Sequence, residues 1–291
     1  MTYPPGPPVV GQEATQLPTC YRHPDRPGGV GCQRCGRPIC TQCMVPASVG
    51  YQCPDCTHAR PQKVLTGPAA FGRAGSDVIV GKVIVGLNVA AYALMVVLGG
   101  STSPAGPLYV HGVTYGPAVA AGDWWRVVTG GFLHASPLHL LMNMFLLWLL
   151  AKELEPSLGH LRFGLLYAVS LLGGAVGVML LSPHDATLGA SGAVFGLMGA
   201  LVVLQLRARQ NPWSTGLGGL VIINLVITFA VPGISIGGHV GGLLAGAFAG
   251  LFVTPEARPT TTVGIREGFL VLTAIGLGLL AVVVAGALAG P

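Results

Sequence analysis

The sequence predicts an all-α polytopic membrane protein carrying a small metal-binding domain near its N-terminal end. Three observations predict it. Only 9% of the 291 residues are charged while 52% are hydrophobic, and the mean hydropathy is +0.68, more apolar surface than an ordinary soluble domain can hide. Seven apolar stretches follow one another from residue 83 to residue 289, each close to the roughly 20 residues that cross a bilayer as a helix. All seven cysteines fall between Cys20 and Cys56, outside those stretches.

Residues 1–18 (MTYPPGPPVVGQEATQLP) have neither the basic start nor the apolar run of a cleavable signal peptide, and are expected to form a disordered, Pro-rich tail. Residues 19–58 hold ligand-type side chains in four pairs: Cys20 with His23, Cys32 with Cys35, Cys40 with Cys43, and Cys53 with Cys56. Each x2 spacing grips one face of a tetrahedral ion, and eight ligands suit two closed structural zinc sites. CxxC spacing without scattered partners reads as metal ligation in a reducing compartment, not as a disulfide framework. Such a short segment has little core and needs metal to fold. His58 is a spare ligand, although Cys56 completes the set without it. A Pro/Gly-rich linker, 59–77, leads to the membrane part.

The seven stretches are 83–100, 136–151, 163–182, 188–206, 216–231, 235–253 and 268–289. The basic residues orient them. Arg22, Arg26, Arg34, Arg37, Arg60, Lys63, Arg73 and Lys82 precede the first. Lys152 and Arg162 follow the second, Arg207 and Arg209 the fourth, and Arg258 and Arg266 the sixth. Only Arg126 falls on the other side, so the N-terminus is expected in the cytoplasm and the C-terminus outside a plasma membrane. Scattered in this way, the basic residues form no face for nucleic acid.

With that orientation, the even-numbered stretches begin at the outer surface. They open with PLHLLMN, LGASG and SIGGHVGG. His139, Asn143, Ser191 and His239 then lie roughly 5–10 Å below the outer helix ends, at ~1.5 Å per residue. A lone serine in a membrane helix usually bonds back to its own helix, and a lone histidine is usually packed and satisfied. Four polar side chains from three helices at one depth point instead to a shared site. Small-xxx-small ladders, Gly192, Gly196 and Gly199 in one helix and Gly238, Gly242, Gly246 and Gly250 in another, let two backbones approach closely. Close approach brings Ser191 within reach of His239, which can take the hydroxyl proton as serine attacks a carbonyl. No Asp or Glu lies at this depth, so a dyad is expected. Asn143, His139 and backbone N–H near Ser191 are the candidate oxyanion donors.

These residues resemble the rhomboid family of intramembrane serine proteases. The matching pieces are Trp125-Arg126, His139-x-x-x-Asn143, Gly189-Ala190-Ser191-Gly192 and Gly238-His239-Val240-Gly241-Gly242, in family order over about residues 79–253. The resemblance implies a rhomboid-like bundle of six helices, 78–255, plus a seventh, 256–291, that packs or anchors. It implies that Ser191 attacks, that His239 is the base, and that His139, Asn143 and the Ser191 amide form the oxyanion hole. Catalysis then needs no cofactor. It also implies a structural role for the loop holding Trp125 and Arg126, and for Glu155-x-x-x-Gly159 after the second helix. Phe195 stands where some members carry a tyrosine stacked on the catalytic histidine. The four ligand pairs resemble a B-box-type zinc finger, which implies pairing of first with third and second with fourth; sequential pairing is the alternative.

The implied function is endoproteolysis of transmembrane segments of other membrane proteins near the outer face. The implied partners are those substrates, the lipid bilayer and a cytoplasmic protein bound by the zinc domain. An inactive rhomboid-like escort protein is the alternative, but it would lack the serine or the histidine. A proton-coupled transporter using His139 and His239 would need acidic partners within the apolar stretches, which hold none.

Overall fold

The computed structural model describes residues 17–47, 50–59, 78–99, 106–253 and 264–290. Residues 1–16 of the Pro-rich tail, residues 60–77 of the 59–77 linker and the side chain of His58 lie outside the described residues. The chain divides into two compact units, Met1–Arg73 and Ala74–Pro291.

The first unit is built on two short hairpins. Strand β1 (Val30–Gly31) pairs antiparallel with β2 (Pro38–Ile39), and β3 (Val45–Pro46) with β4 (Tyr51–Gln52). A one-turn helix, α1 (Pro54–Ala59), closes it. Its interior is Ile39 and the sulfur atoms of Cys20, Cys32, Cys40, Cys43 and Cys53. One aliphatic side chain is too little apolar area to hold a fold.

The second unit is helical throughout. Helix α2 (Ile79–Gly99) is followed by three short helices, α3 (Gly106–Gly112), α4 (Gly116–Ala120) and α5 (Arg126–Thr129). Six longer ones complete it: α6 (Pro137–Leu158), α7 (His160–Leu181), α8 (Ser191–Arg207), α9 (Leu217–Ala230), α10 (Ile236–Phe252) and α11 (Ile265–Ala289). Among the described residues, α2, α6, α7 and α11 are long and apolar enough to cross a membrane, whereas α8, α9 and α10 have 17, 14 and 17 residues. Leucine, valine and phenylalanine side chains stand exposed along these helices, among them Leu87, Leu141, Phe145, Phe229, Leu244 and Leu279. In water this would be an untenable surface; it suits lipid. The protein is a multi-pass membrane protein.

Several helix ends differ from the sequence reading by a few residues, and for two of them the physical reason is visible. Helix α6 runs past 151 to Leu158 because Glu155, in its last turn, is buried and engaged. Its carboxylate accepts the N–H groups of Ile79, Val80 and Gly81 at 2.7–2.9 Å and meets His160 Nδ1 at 2.6 Å. It thereby caps α2 from another helix, satisfying N–H groups that a helix start leaves unpaired. Glu155 and Gly159 thus belong to the end of the helix and its cap. Helix α8 starts at Ser191, not 188, because Gly189 takes φ +129°, outside the helical region, and donates its N–H to Gly130 O at 2.9 Å.

Small residues set the core of the bundle. A Cβ on Gly242 would lie 2.0 Å from the Gly192 carbonyl oxygen, and one on Gly246 2.0 Å from that of Gly196. These contacts seat α10 against α8. On another face of α10, a Cβ on Gly237 would lie 2.2 Å from Gly177 O, so α7 approaches as closely as α8 does. Helix α11 docks on α7 through Ala281 and Ala285 against Val176 and Met179. Arg162 Nε also donates to Glu267 Oε1 across that contact, at 2.5 Å.

Candidate active site and metal clusters

Two N-caps place the site. The Ser136 hydroxyl accepts from His139 N–H at 3.2 Å and starts α6, and that of Ser235 accepts from Gly238 N–H at 3.0 Å and starts α10. Capping of this kind is worth about 1 kcal/mol. It leaves His139 and His239 in the first turns of their helices, while Ser191 is the first residue of α8. All three helices begin at one end of the bundle, so these side chains share a level.

Ser191 Oγ lies 2.7 Å from His239 Nε2. The imidazole is buried and lies flat on Phe195, with ring centroids 4.1 Å apart and planes at 18°. The stack that the sequence left open is therefore present without a phenol. At the other ring nitrogen, Thr228 Oγ1 of α9 sits 2.7 Å from Nδ1; the sequence reading passed over this residue. Its signal was available, since Asn224 and Thr228 are polar residues one helical turn apart in an apolar stretch.

His139 and Asn143 stand beside the pair. His139 Nδ1 accepts the Ala135 N–H at 3.4 Å, which leaves its proton on Nε2. That edge of the ring faces Gly189, where a Cβ would come within 2.9 Å of Nε2 and 2.8 Å of Cε1. The Asn143 amide donates one N–H to His139 O at 2.9 Å and keeps a second. The N–H groups of Ser191, Gly192 and Ala193 precede the first bond of α8, Val194 N–H to Ala190 O at 3.0 Å. All these groups line one cavity of about 1070 Å³, whose lining also includes Ser136, Ser182, Asp185 and Ser235. His134, also passed over, is fully buried with its ring edge-on to His139 at 5.0 Å.

The segment before α6 is pinned to the loop that carries the serine. Arg126 is buried; its Nε donates to Asp123 Oδ2 at 2.9 Å and its Nη1 to Val113 O at 3.2 Å. Trp125 Nε1 donates to His111 O at 3.1 Å. Thr114 and Thr187 exchange backbone hydrogen bonds at 2.9 Å, joining this segment to the strand-like approach to Gly189.

In the first unit, Cys20, His23, Cys40 and Cys43 form one cluster, and Cys32, Cys35, Cys53 and Cys56 a second, with ligand atoms all within 4.8 Å of one another. First pairs with third and second with fourth, which excludes the sequential arrangement. Cys43 Sγ and Cys40 Sγ lie 3.3 and 3.4 Å from His23 Nδ1, and Cys35 Sγ lies 3.8 Å from Cys53 Sγ. A tetrahedral ion with ~2.3 Å bonds to sulfur needs ligand edges of roughly 3.8 Å. The set fits a zinc finger. Burial would raise the Cys20 thiol, but N–H groups of Arg22, Cys40 and His23 and the His23 ring bring it down to about 6. Burial, offset by N–H groups of Cys53, Arg34 and Cys35, leaves Cys32 also at about 6. Burial and hydrogen bonds with Cys20 and Cys40 push Cys43 up to about 11, and bonding to Cys53 together with burial pushes Cys56 up to about 12. Without a cation, each cluster can ionise only some of its sulfurs.

A half-buried serine against a buried histidine, flanked by N–H donors, thus stands at one end of an apolar helix bundle. Residues 121–256 match the Rhomboid domain model, so this segment is similar to the rhomboid family. The chain is 35% identical over 159 residues to rhomboid protease GluP of Bacillus subtilis, covering 54% of this chain and 31% of that protein. It is 40% identical over 84 residues to RHOMBOID-like protein 6, mitochondrial, of Arabidopsis thaliana, covering 29% and 27%. It is 37% identical over 94 residues to rhomboid-like protease 3 of Toxoplasma gondii, covering 32% and 36%. The chain thus spans about a third of the length of these relatives.

Proposed function

We propose that this protein is a serine endopeptidase that cleaves transmembrane segments of other membrane proteins near the outer face of the bilayer. Ser191 is the nucleophile and His239 the general base. As Ser191 Oγ bonds to the scissile carbonyl carbon, its proton passes to His239 Nε2. The oxyanion is met by the Ser191 N–H, the second Asn143 amide proton and His139 Nε2–H. His239 then protonates the leaving amine as the C–N bond breaks, and water admitted to the cavity lined by Ser136, Ser182, Asp185 and Ser235 hydrolyses the acyl-enzyme. The 2.7 Å contact between Ser191 Oγ and His239 Nε2 carries this reading. The basic residues support an N-terminus in the cytoplasm and a C-terminus outside, in a plasma membrane. The two clusters of the first unit are proposed to hold one structural zinc ion each, with no part in catalysis, and to present a surface for a cytoplasmic protein.

The test is cleavage of a transmembrane reporter by purified wild type, Ser191→Ala and His239→Ala. Each variant is expected to be inactive though folded, and the double variant no worse, because the two act as a unit. A serine-directed fluorophosphonate should label wild type at Ser191. Substantial turnover by either single variant would refute the assignment.

A further inference from the structure

We propose that Thr228 is a positioning residue for His239: its hydroxyl holds the proton on Nδ1 and so keeps Nε2 free to accept from Ser191. The inference rests on the serine–histidine reading above and adds to it a third group from a third helix.

Proton bookkeeping leads there. Thr228 is 2% exposed, and water does not compete for its hydroxyl. The single hydroxyl proton is donated to Asn224 O of its own helix at 2.7 Å. Towards His239 Nδ1, 2.7 Å away, Oγ1 can therefore only accept, and the proton of that hydrogen bond belongs to Nδ1. A neutral imidazole carries one N–H. Nε2 is then the lone-pair nitrogen, and the 2.7 Å contact with Ser191 Oγ has the serine donating, the direction that removal of its proton requires.

The alternative tautomer, with the proton on Nε2, sets two acceptors against each other at Nδ1 and reverses the direction of the serine contact. It would present a proton to Ser191 and a bare Nδ1 to a hydroxyl already committed to Asn224. Threonine bonding back to the preceding turn is common in membrane helices and by itself signifies nothing. Here the back-bond is what turns the oxygen into an acceptor. When His239 takes the serine proton, both ring nitrogens carry protons, and Oγ1 already faces the second of them. With Phe195 stacked on the ring, Thr228 and Ser191 fix the imidazole at both nitrogens.

The experiment compares wild type, Thr228→Val, Thr228→Ser and Ser191→Ala on the same transmembrane reporter, with thermal unfolding measured for each. Valine keeps the branched shape and loses the hydroxyl; serine keeps the hydroxyl. Thr228→Val is expected to lose about tenfold to a hundredfold in kcat with little change in KM, the scale set by an unpaired buried donor, while Thr228→Ser recovers most of it. Fluorophosphonate labelling of Ser191 should slow in step with kcat. Independently of any variant at 228, the ¹⁵N spectrum of histidine-labelled wild type, with His239 identified by its loss in His239→Ala, should show Nδ1 protonated and Nε2 bare. A wild-type spectrum with the proton on Nε2, wild-type kcat in Thr228→Val, or a Thr228→Ser variant as impaired as Thr228→Val would each overturn the inference. An active Ser191→Ala would overturn the dyad itself; an inactive Ser191→Ala beside a fully active Thr228→Val would overturn only the role of Thr228.

Discussion

Gly242→Ala tests whether the close helix contact sets the catalytic distance. Gly242 follows His239 by three residues on α10, and Gly192 follows Ser191 directly on α8, so this contact lies beside the proposed catalytic pair. A Cβ at 242 would stand 2.0 Å from Gly192 O and 2.7 Å from Gly192 C, whereas ordinary contact begins at 3.4 Å. The obstacle is backbone, which no rotamer change can clear. The helices must part by the difference between 3.4 and 2.0 Å, which is 1.4 Å. Taken up along the line joining the two side chains, that would open the 2.7 Å Ser191–His239 contact to about 4 Å, beyond hydrogen-bond range. A misplacement of about 1 Å costs on the order of 10² in rate, and overpacking of this kind costs roughly 1–3 kcal/mol of stability. Turnover of the transmembrane reporter and fluorophosphonate labelling should both fall by about that 10² factor while the variant still inserts and folds. The controls are Gly276→Ala and Gly286→Ala on α11, where a Cβ meets nothing within 4 Å; both should keep wild-type activity. Wild-type turnover in Gly242→Ala would refute the link between helix contact and catalysis.

Asn143→Ala should lower kcat by about 10²–10³, the loss on removing a principal oxyanion donor; near-normal turnover would assign that role to His139 and the backbone. A tag after Pro291 should be accessible from outside intact cells, and one before Met1 only after permeabilisation; the reverse pattern would overturn the proposed orientation. Purified protein should contain close to two zinc ions, and Cys32→Ser with Cys35→Ser should remove at least one, as read by elemental analysis. Metal loading should release protons, because Cys43 and Cys56 are held protonated near neutral pH at about 11 and about 12 and bind as thiolates; loading without proton release would contradict those environments. Deleting residues 1–60 should leave cleavage of a minimal transmembrane reporter intact, whereas its loss in a still-folded membrane unit would couple zinc to catalysis.

Much of the site was legible because its signals are local. The apolar stretches mark the helices, and the shared depth of Ser191, His139 and His239 near their outer ends follows from counting at ~1.5 Å per residue. The glycine ladder of α10 announced close packing, since only a missing Cβ lets carbonyl and backbone meet. What escaped was of another kind. Thr228 lies eleven residues from His239, beyond an intervening turn, and nothing in its own helix says which ring nitrogen it will face. His134 falls in the irregular segment before α6, where no periodicity assigns a face. The full length of α6 depended on Glu155 finding the N–H groups of a helix some seventy-five residues away.

The amino-acid sequence by itself determined the membrane class, the order of the apolar helices and the spacing of the cysteine pairs, and it singled out the candidate serine and histidines, because hydropathy and short spacings are properties of neighbouring residues. Only the tertiary structure decided that Cys20 and His23 join Cys40 and Cys43, that α10 is gripped by α7 as well as α8, and that the two nitrogens of His239 face different hydroxyls. These are meetings of groups far apart along the chain. They are set by how glycine-lined helices pack and by where buried hydrogen-bonding atoms must find partners, conditions that no single segment contains.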